Sequence, residues 1–167
     1  MKTIYFAGGC FWGVERLMSV VTGVQDAQSG YANGQGDNPT YQEVIRGNTG
    51  YRETVKVSYD ENVIGTRDLL RLFFSTIDPT VSNRQGNDVG SQYQTGVYWE
   101  DDEDEAIIRE AAEAEKVLHK SFEVEIEPLT SYWPAEEYHQ DYLVKNPQGY
   151  CHIGPADFEA ARNLVKE

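Results

Sequence analysis

The chain has 167 residues, 25% of them charged and 12% aromatic, which suits one folded domain and is too rich in large apolar groups for a disordered chain. A net charge of −14, from 14 Lys and Arg against 28 Asp and Glu, repels phosphate backbones and anionic lipid, so nucleic-acid and membrane partners are not expected. No apolar run approaches membrane-spanning length, residues 1–6 lack the design of a signal peptide, and two cysteines make no disulfide framework; a cytoplasmic enzyme or binding protein is expected.

Residues 3–7 read as a short buried strand stopped by Gly8 and Gly9. A helix follows from Cys10 or Phe11 to about Val20, with Phe11, Val14, Leu17 and Met18 on one face. Residues 24–31 form a weak strand pattern, 33–40 a polar turn-rich loop, and 54–59 an alternating, half-buried strand. Leu69, Leu70, Phe73, Phe74 and Ile77 recur at helical spacing until Asp78-Pro79 ends the pattern. A second polar loop spans 82–92, and 95–99 is a strand. Residues 101–121 give the clearest helix, acidic at its start and carrying Lys116, His119 and Lys120 near its end, as the macrodipole favours. Val124 and Ile126 mark one more strand. The tail runs through an aromatic stretch and Asn146-Pro147-Gln148-Gly149-Tyr150-Cys151 to a short helix around Phe158, Ala161 and Leu164.

The first six elements follow a split βαβ order. The fold expected is α+β, a two-layer sandwich on a ferredoxin-like core, with long polar loops and an irregular C-terminal tail. Residues 1–167 form one domain, and 146–167 are its tail.

Cys10 has the best local setting for chemistry. It leaves a strand through two glycines and opens a helix, where unpaired N–H groups and the dipole favour a thiolate. The residues alone leave it either a nucleophile or a small buried apolar group. Phe11 and Trp12 point about 100° apart on a helix, so they either wall a pocket for an apolar group such as a methyl, or one packs inside and the other is incidental. Glu53 shares a strand face with Val55, Val57 and Tyr59. Burial there would raise its pKa and make it an acid, and exposure would leave an ordinary carboxylate. Cys151 is either a partner for an oxidised Cys10 or an unrelated thiol. Tyr41 and Tyr93 lie in polar loops as possible hydrogen-bond donors. A metal site from Cys10, Cys151, His139 and His152 lacks any zinc-type spacing, and the glycines at 34 and 36 lack a dinucleotide-binding context. No metal and no organic cofactor are expected.

Gly9-Cys10-Phe11-Trp12-Gly13 after a first strand resembles the signature of peptide methionine sulfoxide reductase A. Asn38-Pro39-Thr40-Tyr41, Gly50-x-x-Glu53, Asp78-Pro79-Thr80, Arg84-Gln85-Gly86-Asn87-Asp88-x-Gly90-Ser91-Gln92-Tyr93, His139-Gln140-Asp141-Tyr142-Leu143 and Asn146-Pro147-x-Gly149-Tyr150-Cys151 resemble that family in its order, over nearly the whole chain. The resemblance implies reduction of methionine S-sulfoxide, free or in proteins, as repair of oxidative damage. It implies Cys10 as nucleophile, Phe11 and Trp12 around the substrate methyl, Glu53 as proton donor to the sulfoxide oxygen, and Tyr41 and Tyr93 as hydrogen-bond donors to it. It places Asp88 in the polar surroundings, Cys151 as the resolving cysteine, and thioredoxin as reductant of a Cys10–Cys151 disulfide. The active species expected is a monomer. Tyr51 and Ile77 stand where the family often has histidine. Two rival readings are a cysteine hydrolase using Cys10, His139 and Asp141, and an acidic binding module gripping methionine-like side chains through Phe11 and Trp12.

Overall fold

Alternation decides the first strand of the computed structural model, which describes residues 1–167. In β1 (Lys2–Ala7), Ile4 and Phe6 enter the main core, while Tyr5 and Ala7 face a smaller cluster on the other side of the sheet. Gly8 and Gly9 turn the chain into α1 (Phe11–Ser19), with Cys10 at the cap position. The chain continues through β2 (Val24–Ala32), α2 (Tyr41–Ile45), β3 (Arg52–Tyr59) and α3 (Thr66–Thr76). A two-strand hairpin, β4 (Arg84–Gln85) and β5 (Asp88–Val89), leads through a 3₁₀ turn (Ser91–Tyr93) to β6 (Gly96–Trp99). The remainder comprises α4 (Glu105–Lys116), β7 (Glu125–Pro128), β8 (Tyr132–Pro134), α5 (Tyr142–Lys145) and α6 (Pro155–Arg162).

Six strands make one mixed sheet in the order β7–β6–β1–β3–β2–β8, antiparallel at every pair except β6 with β7. Helices cover one face. Phe11, Val14, Leu17 and Met18 of α1 and Leu69, Leu70 and Phe73 of α3 pack onto Ile4, Phe6, Val55 and Val57. Phe6 stacks on Phe73 with ring centroids 4.7 Å apart, a contact worth about 1 kcal/mol beyond area burial. The register between β1 and β3 pairs Phe6 with Val55. Continued past Ala7, that register carries Glu53 alongside the turn at Gly8, Gly9 and Cys10. Site geometry is therefore set by strand pairing before any loop contributes. No helix is long and apolar enough to cross a membrane.

The sequence expectations hold for the strands and for α1 and α3, and differ elsewhere. The helix expected over 101–121 is a 3₁₀ turn (Asp102–Asp104) followed by α4, which ends at Lys116; His119 and Lys120 lie beyond it. Val117 and Leu118 are strongly exposed, so no apolar face carries the helix further. The 82–92 loop contains the small hairpin, and the first polar loop ends in α2, where Thr40 and Glu43 form a capping box. Strand β8 and helix α5 have too few residues to show periodicity. Tyr51 is buried and donates its hydroxyl to the Gly36 carbonyl, fastening the 33–40 loop, while Ile77 belongs to the core.

Gly9 has a φ of +85°, and a Cβ there would stand 2.7 Å from Cβ of Gln85. Gln85 is buried and clamps Asp78 through both its amide atoms, accepting from the N–H at 2.7 Å and donating to the carbonyl at 3.2 Å. Gly9→Ala is expected to cost about 2 to 4 kcal/mol, combining left-handed strain with displacement of the 78–85 segment. Denaturant unfolding measures it, and a loss below about 0.5 kcal/mol would show that the turn tolerates a side chain.

Candidate active site

Cys10 is 8% exposed at the head of α1. The backbone N–H of Trp12 acts to lower its pKa, as a helix start should. Burial outweighs that effect, and the nearby carboxyl groups of Glu53 and Asp88 add to it, so the thiol pKa is pushed well above its ordinary value. The thiolate expected from position alone is therefore not the resting form. Low dielectric wins over the helix dipole, and Cys10 waits as a thiol.

Glu53 is 2% exposed and accepts a hydrogen bond from the Phe11 backbone N–H at 3.1 Å. Desolvation pushes its pKa up to about 8, with Asp88 adding to the rise and the Phe11 bond opposing it. At neutral pH it is thus mostly protonated, an acid beside a thiol. Tyr41 opens α2 and Tyr93 ends the 3₁₀ turn. Burial raises both phenol pKa values, that of Tyr41 to about 12, and Glu53 and Cys10 contribute to both rises. Two loops far apart in sequence thus bring hydroxyl donors to the Cys10–Glu53 pair. Asp88, on β5, has a raised pKa from burial, eased by Tyr150 and His152, and its Oδ2 has no hydrogen-bond partner.

Phe11 is almost fully buried, tilted against Tyr31 and His139, so it does not offer an open face. Trp12 is half-buried and stacks on Tyr142 with centroids 3.7 Å apart, and its indole N–H donates to His139 Nδ1 at 3.1 Å. His139 also lies 4.5 Å from the Tyr41 ring, centroid to centroid. Glu136 accepts from the Tyr31 hydroxyl at 2.7 Å and from the Tyr41 backbone N–H at 2.9 Å, fixing the start of α2. Glu136 and Tyr142 are structural members of the site that residue types alone did not single out, and His139, weighed there only as a metal ligand or hydrolase residue, is a third. Their signal was the aromatic density of 132–142, which has no periodicity to read. His139 spends Nδ1 on Trp12 and makes no bond to Cys10, and the Asp141 side chain makes none to His139, so the hydrolase triad is not assembled. No three His, Cys, Asp or Glu side chains gather as a metal site.

Cys151 is half-buried and donates weakly to the Ile153 carbonyl at 3.5 Å. Its Sγ occupies the space over Gly13, where a Cβ would come within 3.1 Å of the sulfur. Although 141 positions further along the chain, it lies about one helical turn from Cys10 and adds slightly to the rise in that thiol's pKa.

A family model described as peptide methionine sulfoxide reductase matches residues 2–166. The chain belongs to that family. It is 49% identical over 163 residues to the peptide methionine sulfoxide reductase MsrA of Lachnoclostridium phytofermentans, covering 97% of this chain and 98% of the relative. The crystal structure of Mxr1 from Saccharomyces cerevisiae in reduced form superposes with a TM-score of 0.86 at 37% identity, over 99% of this chain and 92% of that one. Mxr1 in complex with Trx2 matches with a TM-score of 0.60 at 25% identity, over 84% of each chain. The mixed sheet with its helices is thus the arrangement of solved members of the family.

Burial gives Glu53 a consequence separate from activity. Its native pKa of about 8 exceeds the ordinary 4.5, so between those values the native state holds a proton that the unfolded state releases. Stability must then fall as pH rises through that window. Glu53→Gln keeps an acceptor for the Phe11 N–H and removes the titration. Thermal unfolding is expected to show the variant gaining on the parent from about pH 5 to about pH 8, by about 3 to 5 kcal/mol at the upper end. A difference independent of pH would mean that Glu53 is not held protonated.

Proposed function

We propose that Cys10 carries out the family's thiol-dependent reduction of methionine sulfoxide, acting on the S epimer, free or in proteins, and so repairing oxidative damage. The observation that carries this reading is the buried Glu53 carboxyl, kept protonated to about pH 8 beside the Cys10 thiol. A sulfoxide sulfur is a weak electrophile, and attack needs a proton delivered to oxygen in the same step. Cys10 Sγ attacks the substrate sulfur as Glu53 gives its proton to the oxygen and the Cys10 thiol proton replaces it on the carboxylate, and Tyr41 and Tyr93 hold the developing charge. Collapse of the adduct releases methionine and leaves oxygen on Cys10 as a sulfenic acid; the substrate sulfur gains two electrons and Cys10 loses them.

The methyl group packs against Trp12 and the edge of Phe11, with Asp88 completing the polar side. Holding methyl and oxygen at fixed points leaves one tetrahedral arrangement open to attack, hence one epimer. Cys151 condenses with the sulfenic acid to form a Cys10–Cys151 disulfide, and a thioredoxin dithiol reduces it. The yeast relative in complex with Trx2 supports that choice of reductant. A reducing compartment such as the cytoplasm suits thiols that must be free between turnovers.

The strand order β6–β1–β3–β2, with α1 and α3 as crossovers, supports a two-layer α+β sandwich on a ferredoxin-like core. Residues 1–167 act as a single catalytic domain, with the resolving cysteine on the 146–167 tail.

A single-turnover assay on the separated epimers tests the first step. Cys10→Ser is expected to yield no methionine, because a hydroxyl is a poor nucleophile toward sulfur. Glu53→Gln is expected to lose about 10²-fold or more in the chemical step and to lose the decline in rate that the parent shows above about pH 8. An effect confined to KM would make Glu53 a binding group.

Cys151→Ser separates chemistry from recycling. One equivalent of methionine should form at the parent rate, while thioredoxin-driven turnover collapses for want of a disulfide. Full turnover with thioredoxin in this variant would make Cys151 a bystander.

A further inference from the structure

The dipeptide after Tyr150 brackets the nucleophile. Cys151 Sγ sits over Gly13, one turn beyond Cys10, while the His152 ring lies over the turn that precedes it: a Cβ built on Gly9 would stand 3.5 Å from His152 Cε1. On its far side the His152 side chain packs against Gly86 of the small hairpin, its Cβ 3.5 Å from where a Cβ of Gly86 would lie. Both ring nitrogens are shielded from solvent without a close hydrogen-bond partner, and so is Asp88 Oδ2. The Gly8 backbone and the Asp88 carboxylate lie near enough that both act to raise the ring's pKa. Reduction of the sulfoxide uses neither side chain of this pair as a proton carrier, yet three unpartnered polar atoms are buried near the turn that leads into Cys10. Such groups are costly unless a later state employs them.

We propose that His152, backed by Asp88, carries the proton in the second chemical step, the condensation of the Cys10 sulfenic acid with Cys151. The inference rests on the assignment of Cys151 as resolving cysteine. In that step the Cys151 S–H bond and the Cys10 S–O bond break, an S–S bond forms, and oxygen leaves as water. The thiol proton must reach the departing oxygen. Burial keeps the attacking Cys151 above the ordinary thiol pKa, so little thiolate is available to attack unaided. A neutral imidazole has one acceptor and one donor nitrogen; it takes the proton from the attacking thiol and gives one to the leaving hydroxide. Burial lowers the His152 pKa, against the pull of Asp88 and Asp157, and so keeps the ring neutral as this role requires. The titratable groups around it are Asp88 from β5, Asp157 from α6, and its chain neighbours Tyr150 and Cys151.

His152→Gln, in the full chain, tests this with methionine formation and disulfide formation followed separately in one turnover. The methionine burst is expected at the parent rate, with disulfide formation slowed about 10-fold to 100-fold. Parent resolution should change little from about pH 7 to about pH 8, whereas the variant, now dependent on preformed thiolate, should speed up roughly tenfold per pH unit. Added imidazole should restore part of the rate in His152→Gly, which a merely structural role would not allow. Parent-like resolution with a parent-like pH profile in His152→Gln would overturn the proposal, as would a loss confined to the burst. A parent protein that forms no Cys10–Cys151 disulfide at all would instead refute the assignment of Cys151.

Discussion

The hydrogen bond from the Phe11 N–H to the Glu53 carboxyl joins the two halves of the site. One partner belongs to the first turn of α1, where the N–H groups have no helical acceptor; the other belongs to β3, where a carboxyl has no access to water. Each group would be unsatisfied without the other. The bond exists because β1 and β3 pair in one register, and a one-residue slip would turn Glu53 to the opposite face of the sheet. Val55 and Val57, fully buried on the same face, fix that register through the core. The catalytic geometry is in this sense a consequence of hydrophobic packing two and four residues away.

The same dryness sets the charge state. Glu53, Cys10, Tyr41 and Tyr93 all have raised pKa values, and burial is the first cause in each. A resting site of neutral acids is well suited to an oxygen that must be protonated as it accepts electrons. It also restrains the thiol: while Glu53 is ionised its charge adds to the cost of a thiolate, and while it is protonated that contribution is gone. Carboxyl and thiol are therefore coupled, and on the proposed reading the protonation state that supplies the proton is the one that least hinders attack.

Much of this was legible in the residues, for identifiable reasons. Cys10 follows a β-to-α turn marked by two glycines, and Glu53 lies in phase with Val55, Val57 and Tyr59, so local patterns reveal both. The charge state of Cys10 was not legible, since it depends on how much of the chain covers it. Glu136, Tyr142 and the structural role of His139 were hidden for another reason: they act through contacts to Trp12, Tyr31 and Tyr41, about a hundred or more positions away, on segments too short for any period. The end of α4 was misplaced because basic residues at 116–120 satisfy the dipole rule in helix and in turn alike. What decided it was the absence of an apolar partner for Val117 and Leu118.

The two glycines flanking the nucleophile show how a local pattern can carry distant information. Gly9 admits Gln85, and with it the 78–85 segment leading into the hairpin that bears Asp88; Gly13 admits the sulfur of Cys151. Neither space is needed by α1 itself, and glycine inside a helix costs roughly 0.5 to 1 kcal/mol relative to alanine. At Gly13 that cost leaves a gap on the helix surface one turn from Cys10, filled by the only other cysteine in the chain. The spacing of Cys10, three residues before one glycine and one after the other, therefore fixes how near the sulfur of Cys151 comes to it. The place for the second sulfur is written into the first helix, although the residue that fills it comes from the last part of the chain.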